Sequence, residues 1–364
     1  MTNDDNSLQE LMRLQELTSI QERLKKSMGE YPIDILIPYH DNKDTIGAAL
    51  ASIAVQTVKD NIRVLICNDS SEGGFSVELL EIANAYQSTR LCIEVYSESF
   101  CNVGRTRQSL LERAKGKYIM FLDADDILYT PYAVEALYNA LERNPTAAIV
   151  TSPYLEERIS ADGQKALYQR PIEITTLLGK MYRREFLTEH NIYFPKARRN
   201  EDAFFNQLLA CYGPTAIQIE QPTYVWKYNP NSLSRDINNK DLSCERKSDY
   251  LETQICLYEE KKKRNIISKN DTCIRQTLET IVMTYLYYCE LFEENEKKAD
   301  EFQKQCVPLL KSGFSPFRAN TYELDDNLKR VYLSISNSFP TLKQIIPVMT
   351  FKDFIYQKLY MPEL

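Results

Sequence analysis

Three carboxylates stand within four residues at Asp123-Ala124-Asp125-Asp126, directly behind the apolar run 118–122. Charges of one sign packed this closely repel one another, so the turn is costly unless a cation offsets it. A hard divalent ion such as Mg²⁺ or Mn²⁺ takes oxygen ligands of this kind and also bridges diphosphate oxygens. Upstream, Asn102-Val-Gly104-Arg105-Thr-Arg107 leads into a helix-like segment, which places Arg107 in a first helical turn with a guanidinium suited to phosphate oxygens. A third polar turn, Asn68-Asp69-Ser70-Ser71, follows another apolar run. Its carboxylate could cap a helix or accept the N–H of a pyrimidine ring.

The elements that must position these groups are legible in the hydrophobic pattern. Short apolar runs at 33–38, 62–67, 91–96, 118–122 and 147–151 read as buried strands. Between them Ile46, Leu50, Ile53 and Ala54, then Val77, Leu80 and Ile82, follow a helical period. Alternating strand and helix predict an α/β domain with a mainly parallel sheet, whose ligand site lies beyond the carboxyl ends of the strands. Residues 7–26 begin with a Ser7-x-x-Glu10 capping box and predict an amphipathic helix. Beyond residue 238 the strand signals fade. There Leu278, Ile281, Val282, Tyr285, Leu286, Cys289 and Phe292 form a helical stripe. The stretch 342–360, interrupted by Pro347, suits either a membrane-surface element or a partly buried terminal helix. The expected organisation is an N-terminal helix over 1–30, an α/β domain over 31–237 and a helical region over 238–364.

Composition narrows the chemistry. The 364 residues are 43 % hydrophobic and 26 % charged with a net charge of −7, values of a folded globular chain. The acidic balance argues against nucleic acid as a partner. No apolar run reaches the length of about 18 residues needed to span a membrane, and the polar, acidic start MTNDDNSLQE differs from a secretory leader, so a cytoplasmic chain is expected. Nine cysteines without a CxxC pair read as reduced, mostly core thiols. Only 10 glycines occur, and Pro38-Tyr39-His40-Asp41-Asn42 stands where a dinucleotide fold would carry G-x-G-x-x-G.

Taken in order, these fragments resemble the bacterial family 2 glycosyltransferases with the GT-A fold, over about residues 32–236. The resemblance rests on Pro38-Tyr39, on Asn68-Asp69-Ser70, and on the block from Asn102-x-Gly104-x-x-Arg107 through Ala114-x-Gly116-x-Tyr118-x-x-Phe121-Leu122-Asp123-x-Asp125-Asp126. It continues in Gly179-Lys180-x-Tyr182-Arg183-Arg184 and Asn200-Glu201-Asp202-x-x-Phe205. It implies a Rossmann-like mixed sheet, a nucleotide-diphosphate-sugar donor of the UDP type and a Mn²⁺ or Mg²⁺ ion. It further implies that Asp69 reads the base beside Pro38 and Tyr39, that Arg107 contacts the nucleotide, and that Asp123 and Asp125 hold the metal, Asp123 also touching the ribose. Asp202 would be the general base, with Glu201 positioning it or the acceptor. Residues 223–234 resemble the closing loop, where Lys227 stands for the usual arginine and Ser232 takes a phosphate or metal contact. Asn68 and Ser70 replace an aspartate and a glycine of the family pattern, which bears on donor selectivity.

The implied acceptor is a hydroxyl of a surface glycan, lipid-linked sugar or polymer of the capsule or lipopolysaccharide type. The cationic residues Lys180, Arg183, Arg184, Lys196, Arg198 and Arg199 fit either a solvated face or contact with an anionic acceptor. Of two histidines, His40 could line the donor pocket and His190 is structural. A non-catalytic GT-A module binding a glycan or partner enzyme and a nucleotidyltransferase remain as rival readings, the first disfavoured by the complete carboxylate set and the second by the missing glycine loop. The helical segments could serve self-association or contact with the inner membrane surface.

Overall fold

The computed structural model describes residues 12–17, 31–70, 76–88, 91–160, 162–229, 240–266, 276, 283, 295–301 and 304. Of the expected N-terminal helix, residues 12–17 are described and are helical; the rest lies outside the described residues, as do Ser232, the stripe from Leu278 to Phe292 and the stretch 342–360. The chain divides into two compact units, Met1–Arg235 and Asp236–Leu364.

The first unit alternates strand and helix as the apolar runs predict. Its elements are β1 (Ile33–Tyr39), α1 (Lys43–Ala54), β2 (Ile62–Asp69), α2 (Val77–Tyr86), β3 (Cys92–Glu98), α3 (Val103–Arg113), β4 (Tyr118–Phe121), β5 (Ile127–Leu128) and α4 (Ala133–Glu142). There follow β6 (Ile149–Thr151), β7 (Tyr154–Ile159), β8 (Lys165–Arg170), β9 (Lys180–Arg183), α5 (Arg184–Glu189), α6 (Glu201–Ala210), β10 (Ala216–Gln218) and β11 (Tyr224–Trp226). Seven strands form one sheet in the order β10-β6-β9-β4-β1-β2-β3, and a second sheet has the order β5-β11-β7-β8. All pairings in the large sheet are parallel except those of β9, which runs antiparallel between β4 and β6. The central strands β1, β2 and β4 carry buried Ile, Val, Leu, Met and Phe on both faces, the pattern of a sheet covered by helices on each side.

Register decides what gathers at the carboxyl edge. Tyr39 pairs with Asn68 and Leu36 with Phe121, so the ends of β1, β2 and β4 finish side by side and Pro38, Tyr39, Asp69 and Asp123 share one rim. In the second unit, α7 (Lys240–Lys263) buries Leu251, Ile255, Leu257 and Tyr258, and Lys261 donates to Gln276 at 2.6 Å. No helix among the described residues is long and apolar enough to cross a membrane.

Candidate active site

The block Asn102-x-Gly104-x-x-Arg107 has a local reason for each residue. Asn102 caps α3 by accepting from Arg105 N at 3.0 Å, and its amide donates to Ala197 O at 3.1 Å. A side chain at position 104 would run into the carbonyl oxygen of Pro195, so glycine lets segment 195–197 lie directly on α3. That segment leads through Asn200, in the left-handed region at φ 63°, into the first turn of α6, where Glu201 and Asp202 stand. Arg107, one helical turn along α3, then reaches two carboxylates from different elements. It donates to Asp123 Oδ1 at 2.6 Å and to Glu201 Oε1. A single buried guanidinium thus joins the acidic turn after β4 to the Glu-Asp pair of α6.

Packing fixes α6 beneath that junction. Phe205 is fully buried, stacked on Phe194 at 4.3 Å and edge-on to Phe121 of β4 at 6.0 Å. Burying a side chain of this size contributes roughly 1.5–3 kcal/mol. Asn206 accepts from the Tyr182 hydroxyl of β9 at 2.9 Å. Sheet and helix are held from both sides, and Asp202 is carried at a rigid place.

Besides Arg107, the acidic turn is held by Tyr224, Lys227 and Asn229. Asp126 is buried and accepts from the Tyr224 hydroxyl at 2.7 Å and from Lys227 N at 2.8 Å, which ties β11 and the start of the following loop to the turn. Tyr224 in turn accepts from Asp123 N at 3.2 Å. Among the described residues Asp125 receives one side-chain hydrogen bond, from Asn229 at 2.8 Å. Burial, then the neighbouring Asp123 and Asp125 charges, hold the Asp126 carboxyl well above its ordinary range. Burial also raises Asp125, partly offset by Asn229. Burial raises Glu201 and Asp202, against the pull of Arg107 on each. Burial alone would lower the Arg107 guanidinium, but Asp123, Glu201 and Asp202 outweigh it and raise it, so its charge is permanent.

Among the described residues no three His, Cys, Asp or Glu side chains gather as a complete ligand set. Asp126 is spent on Tyr224 and Lys227, which leaves Asp123 and Asp125 as oxygen donors. One or two carboxylates, with water and substrate phosphate completing the shell, is the mode in which Mg²⁺ is usually held. The residues present fit a cation shared with a diphosphate.

Several expected contacts are occupied otherwise. Asp69 accepts four hydrogen bonds: Phe100 N at 2.6 Å, Cys101 N at 2.7 Å, Asn102 N at 2.9 Å and Thr106 Oγ1 at 2.7 Å. Four donors fill the lone pairs of a carboxylate, so Asp69 anchors the β3–α3 loop, and no acceptor is left over for a base N–H in this arrangement. Arg107, expected on the nucleotide, has Nη1 on Glu201 and Nη2 on Asp123, while its buried Nε has no partner among the described residues. The Lys227 ammonium lies 3.9 Å from Glu157 of β7. Pro38 and Tyr39 end β1 on the rim, with Tyr39 4 % exposed. His40 Nδ1 stands 2.5 Å from Asp69 O, beside them.

The cationic run 180–199 divides by depth. Lys180 is 2 % exposed. Arg183 donates to Ala147 O at 2.8 Å and Arg184 to Gly116 O at 2.7 Å, both structural bonds to the backbone. Lys196 and Arg198 are exposed. The solvated-face reading therefore fails for Lys180, Arg183 and Arg184. Tyr224, Asn229 and Thr106 were missed by the sequence reading, because a lone hydroxyl or amide carries no spacing signal until the chain brings it to the turn.

Residues 34–200 match the family described as Glycosyl transferase family 2. EpsH of Bacillus subtilis is 22 % identical over 280 residues, 72 % of this chain and 77 % of EpsH. The Escherichia coli UDP-Glc:alpha-D-GlcNAc-diphosphoundecaprenol beta-1,3-glucosyltransferase WfaP is 37 % identical over 100 residues, 27 % of this chain and 37 % of WfaP. The crystal structure of S. aureus TarS 1–349 with UDP-GlcNAc has the same fold, with a TM-score of 0.55 at 16 % identity over 84 % of this chain and 92 % of TarS 1–349.

Proposed function

We propose that this chain, whose residues 34–200 match Glycosyl transferase family 2 and whose fold is that of S. aureus TarS, transfers a sugar with inversion from a nucleotide-diphosphate donor of the UDP type to a hydroxyl of a bacterial surface glycan. The observation that carries this reading is the Arg107 bridge. One buried side chain brings the carboxylates fitted to a cation and diphosphate, Asp123 and Asp125, together with the carboxylates fitted to an acceptor, Glu201 and Asp202.

Inverting transfer is a single displacement in which the acceptor oxygen forms the new bond to the anomeric carbon as the bond to the diphosphate breaks. Asp202 takes the acceptor proton as general base, a role typically worth about 10²–10⁴-fold in rate. Glu201, fixed by Arg107, orients the first turn of α6. Asp123 and Asp125 would hold a Mn²⁺ or Mg²⁺ ion, which when bound supplies charge stabilisation to the leaving diphosphate. Pro38 and Tyr39 line the donor side, and Lys227 is the group that closes over it. Closure would have to turn Lys227 away from Glu157, with the Asp126 bond to Lys227 N as the hinge point. A polyprenyl-diphosphate-linked glycan is the favoured acceptor, because the WfaP name specifies one; Lys196 and Arg198 are exposed where an anionic group of it could be met. Such an acceptor places the enzyme at the inner membrane face.

A panel of nucleotide sugars, assayed for nucleotide release with Mn²⁺, with Mg²⁺ and with chelator, tests the reading. Turnover with one donor that is lost in Asp125→Ala and Asp202→Asn is expected. Metal-independent turnover, or an active Asp202→Asn protein, would overturn it.

A further inference from the structure

Lys227 belongs to the acidic corner by its main chain and to the second sheet by its charge. Directly after β11 its N–H donates to Asp126 at 2.8 Å, and two residues further on Asn229 donates to Asp125 at 2.8 Å. Its ammonium nevertheless faces Glu157 of β7, 3.9 Å away. A cation seated beside a cluster of carboxylates is thus paired with one outside the cluster.

Glu157 has other work in this contact. Its side chain is 12 % exposed, and its Oε2 accepts from Tyr228 N at 3.1 Å and from the Lys165 ammonium of β8 at 3.2 Å. Lys227 approaches Oε1, beyond hydrogen-bond length. Burial would raise the Glu157 carboxyl, but Tyr228 N–H, Lys165 and Lys227 outweigh it and lower it, so the group is ionised at neutral pH. The consecutive N–H groups of Lys227 and Tyr228 are therefore pinned by carboxylates of two different elements, and between those pins the Lys227 side chain can swing. Its departure would leave Glu157 with Lys165 and the Tyr228 N–H, so no buried charge is orphaned. A partly exposed pair at this distance costs little to break.

We propose that Glu157 is a positioning residue for Lys227: it parks the ammonium between turnovers and yields it to the donor diphosphate by rotation of the side chain, while the main chain at 227 and 228 stays pinned. The proposal rests on the reading of Lys227 as the group that closes over the donor. Glu157 and the diphosphate then compete for one cation, and donor affinity is set in part by a carboxylate that does not touch the donor. Lys165, the second cation on Glu157, eases the release.

The test uses UDP with saturating Mn²⁺ as probe, titrated by calorimetry into the full-length parent, Glu157→Gln, Lys165→Met, Lys227→Met and the two double variants that carry Lys227→Met. Glutamine keeps an oxygen for Tyr228 N and removes the charge. Glu157→Gln is expected to bind UDP about two- to fivefold more tightly, the range of a partly exposed ion pair, and to lower the KM of the donor found in the panel without raising kcat. Lys165→Met is expected to weaken UDP binding, because Glu157 then keeps Lys227 more firmly. Both shifts should vanish in the Lys227→Met background, which separates parking from the general field of a nearby charge. Unchanged affinity in Glu157→Gln, or a tightening that persists in Lys227→Met, would overturn the proposal. Lys227→Met binding UDP as tightly as the parent would overturn the reading of Lys227, and a parent that binds no UDP would overturn the donor reading, so each failure shows in a different protein. Should Glu157→Gln not fold, Lys165→Met, altered at a side chain 56 % exposed, decides by its opposite sign.

Discussion

At the amino-terminal end of β1 and β2, Arg63 donates to both oxygens of Asp34 at 2.8 Å, and the N–H groups of Lys115 at 2.6 Å and Gly116 at 2.7 Å complete that carboxylate. At the carboxyl end of the same strands Arg107 is divided between Asp123 and Glu201, with Asp125, Asp126 and Asp202 crowding the same corner. Both are buried arginine–carboxylate clusters, but the first closes its hydrogen bonds and the second does not. A closed cluster specifies the fold, whereas a corner with excess carboxylates raised by burial, and an Arg107 Nε unpartnered among the described residues, is where perturbed groups mark a candidate site. The contrast separates a strand-end pair that holds the sheet from one left with the groups for the proposed transfer.

Breaking the working corner at its base should give the largest change. Asp202→Asn is expected to lower turnover by about 10²–10⁴-fold with no loss of melting temperature at neutral pH. The sign follows from the raised carboxyl, since a group that burial makes reluctant to ionise costs stability when charged, and the amide removes that cost. A melting temperature that falls sharply would mark Asp202 as structural and erase the contrast.

Removing either arginine should cost about 3–5 kcal/mol, because each leaves carboxylates buried without their cation. Arg63→Met is expected to show this in denaturant melts while keeping turnover per folded molecule within about threefold of the parent. Arg107→Met should show it in both readouts. If Arg63→Met proved as inactive as Arg107→Met after correction for folded fraction, the division between the two ends would be wrong.

A smaller effect is expected from the two glycines that let backbone close on backbone. A Cβ at position 116 would meet Asp34 N at 3.0 Å, and one at 104 would meet Pro195 and then Ala197, which lead into α6. Alanine at either place should cost about 1–3 kcal/mol, with turnover per folded molecule reduced only in Gly104→Ala. The smallest effect belongs to the proton. Because burial raises Glu201 and Asp202, turnover should be lost on acidification at a pH above the ordinary carboxylate value of about 4. An acid limb at that ordinary value would mean that the corner opens to water in solution.

The strands were legible because β1, β2 and β4 are buried on both faces and therefore print as unbroken apolar runs. The second sheet was not. Its strands β5 and β11 are two and three residues long, and β8 is exposed along most of its length, so no run or alternation stands out. Among site residues, the carboxylates of the turn and of Glu201-Asp202 stood in recognisable spacing, and the Asn102, Gly104 and Gly116 positions of the motif acquired their reasons as a cap and two close backbone approaches. Asp69 stands at the expected rim, but its three backbone N–H donors and the Thr106 hydroxyl were not legible, since a carboxylate at a strand end looks the same in sequence whether a base or a loop comes to meet it. Lys180 was grouped with its charged neighbours because a linear run of cations carries no record of depth.

Side-chain chemistry and hydrophobic period, both local properties, were enough for the sequence to determine the α/β order, and motif spacing gave the likeness to the family 2 glycosyltransferases and the acidic groups from which a donor site could be built. Which charge faces which was decided by the tertiary structure alone. Arg107 meets Asp123 and Glu201, 16 and 94 residues away, and Lys227 turns to Glu157. A charge takes its partner from whatever the packing of helices and strands brings within a few ångströms, and its ionisation from the water that packing removes, and neither quantity is a property of neighbours in the chain.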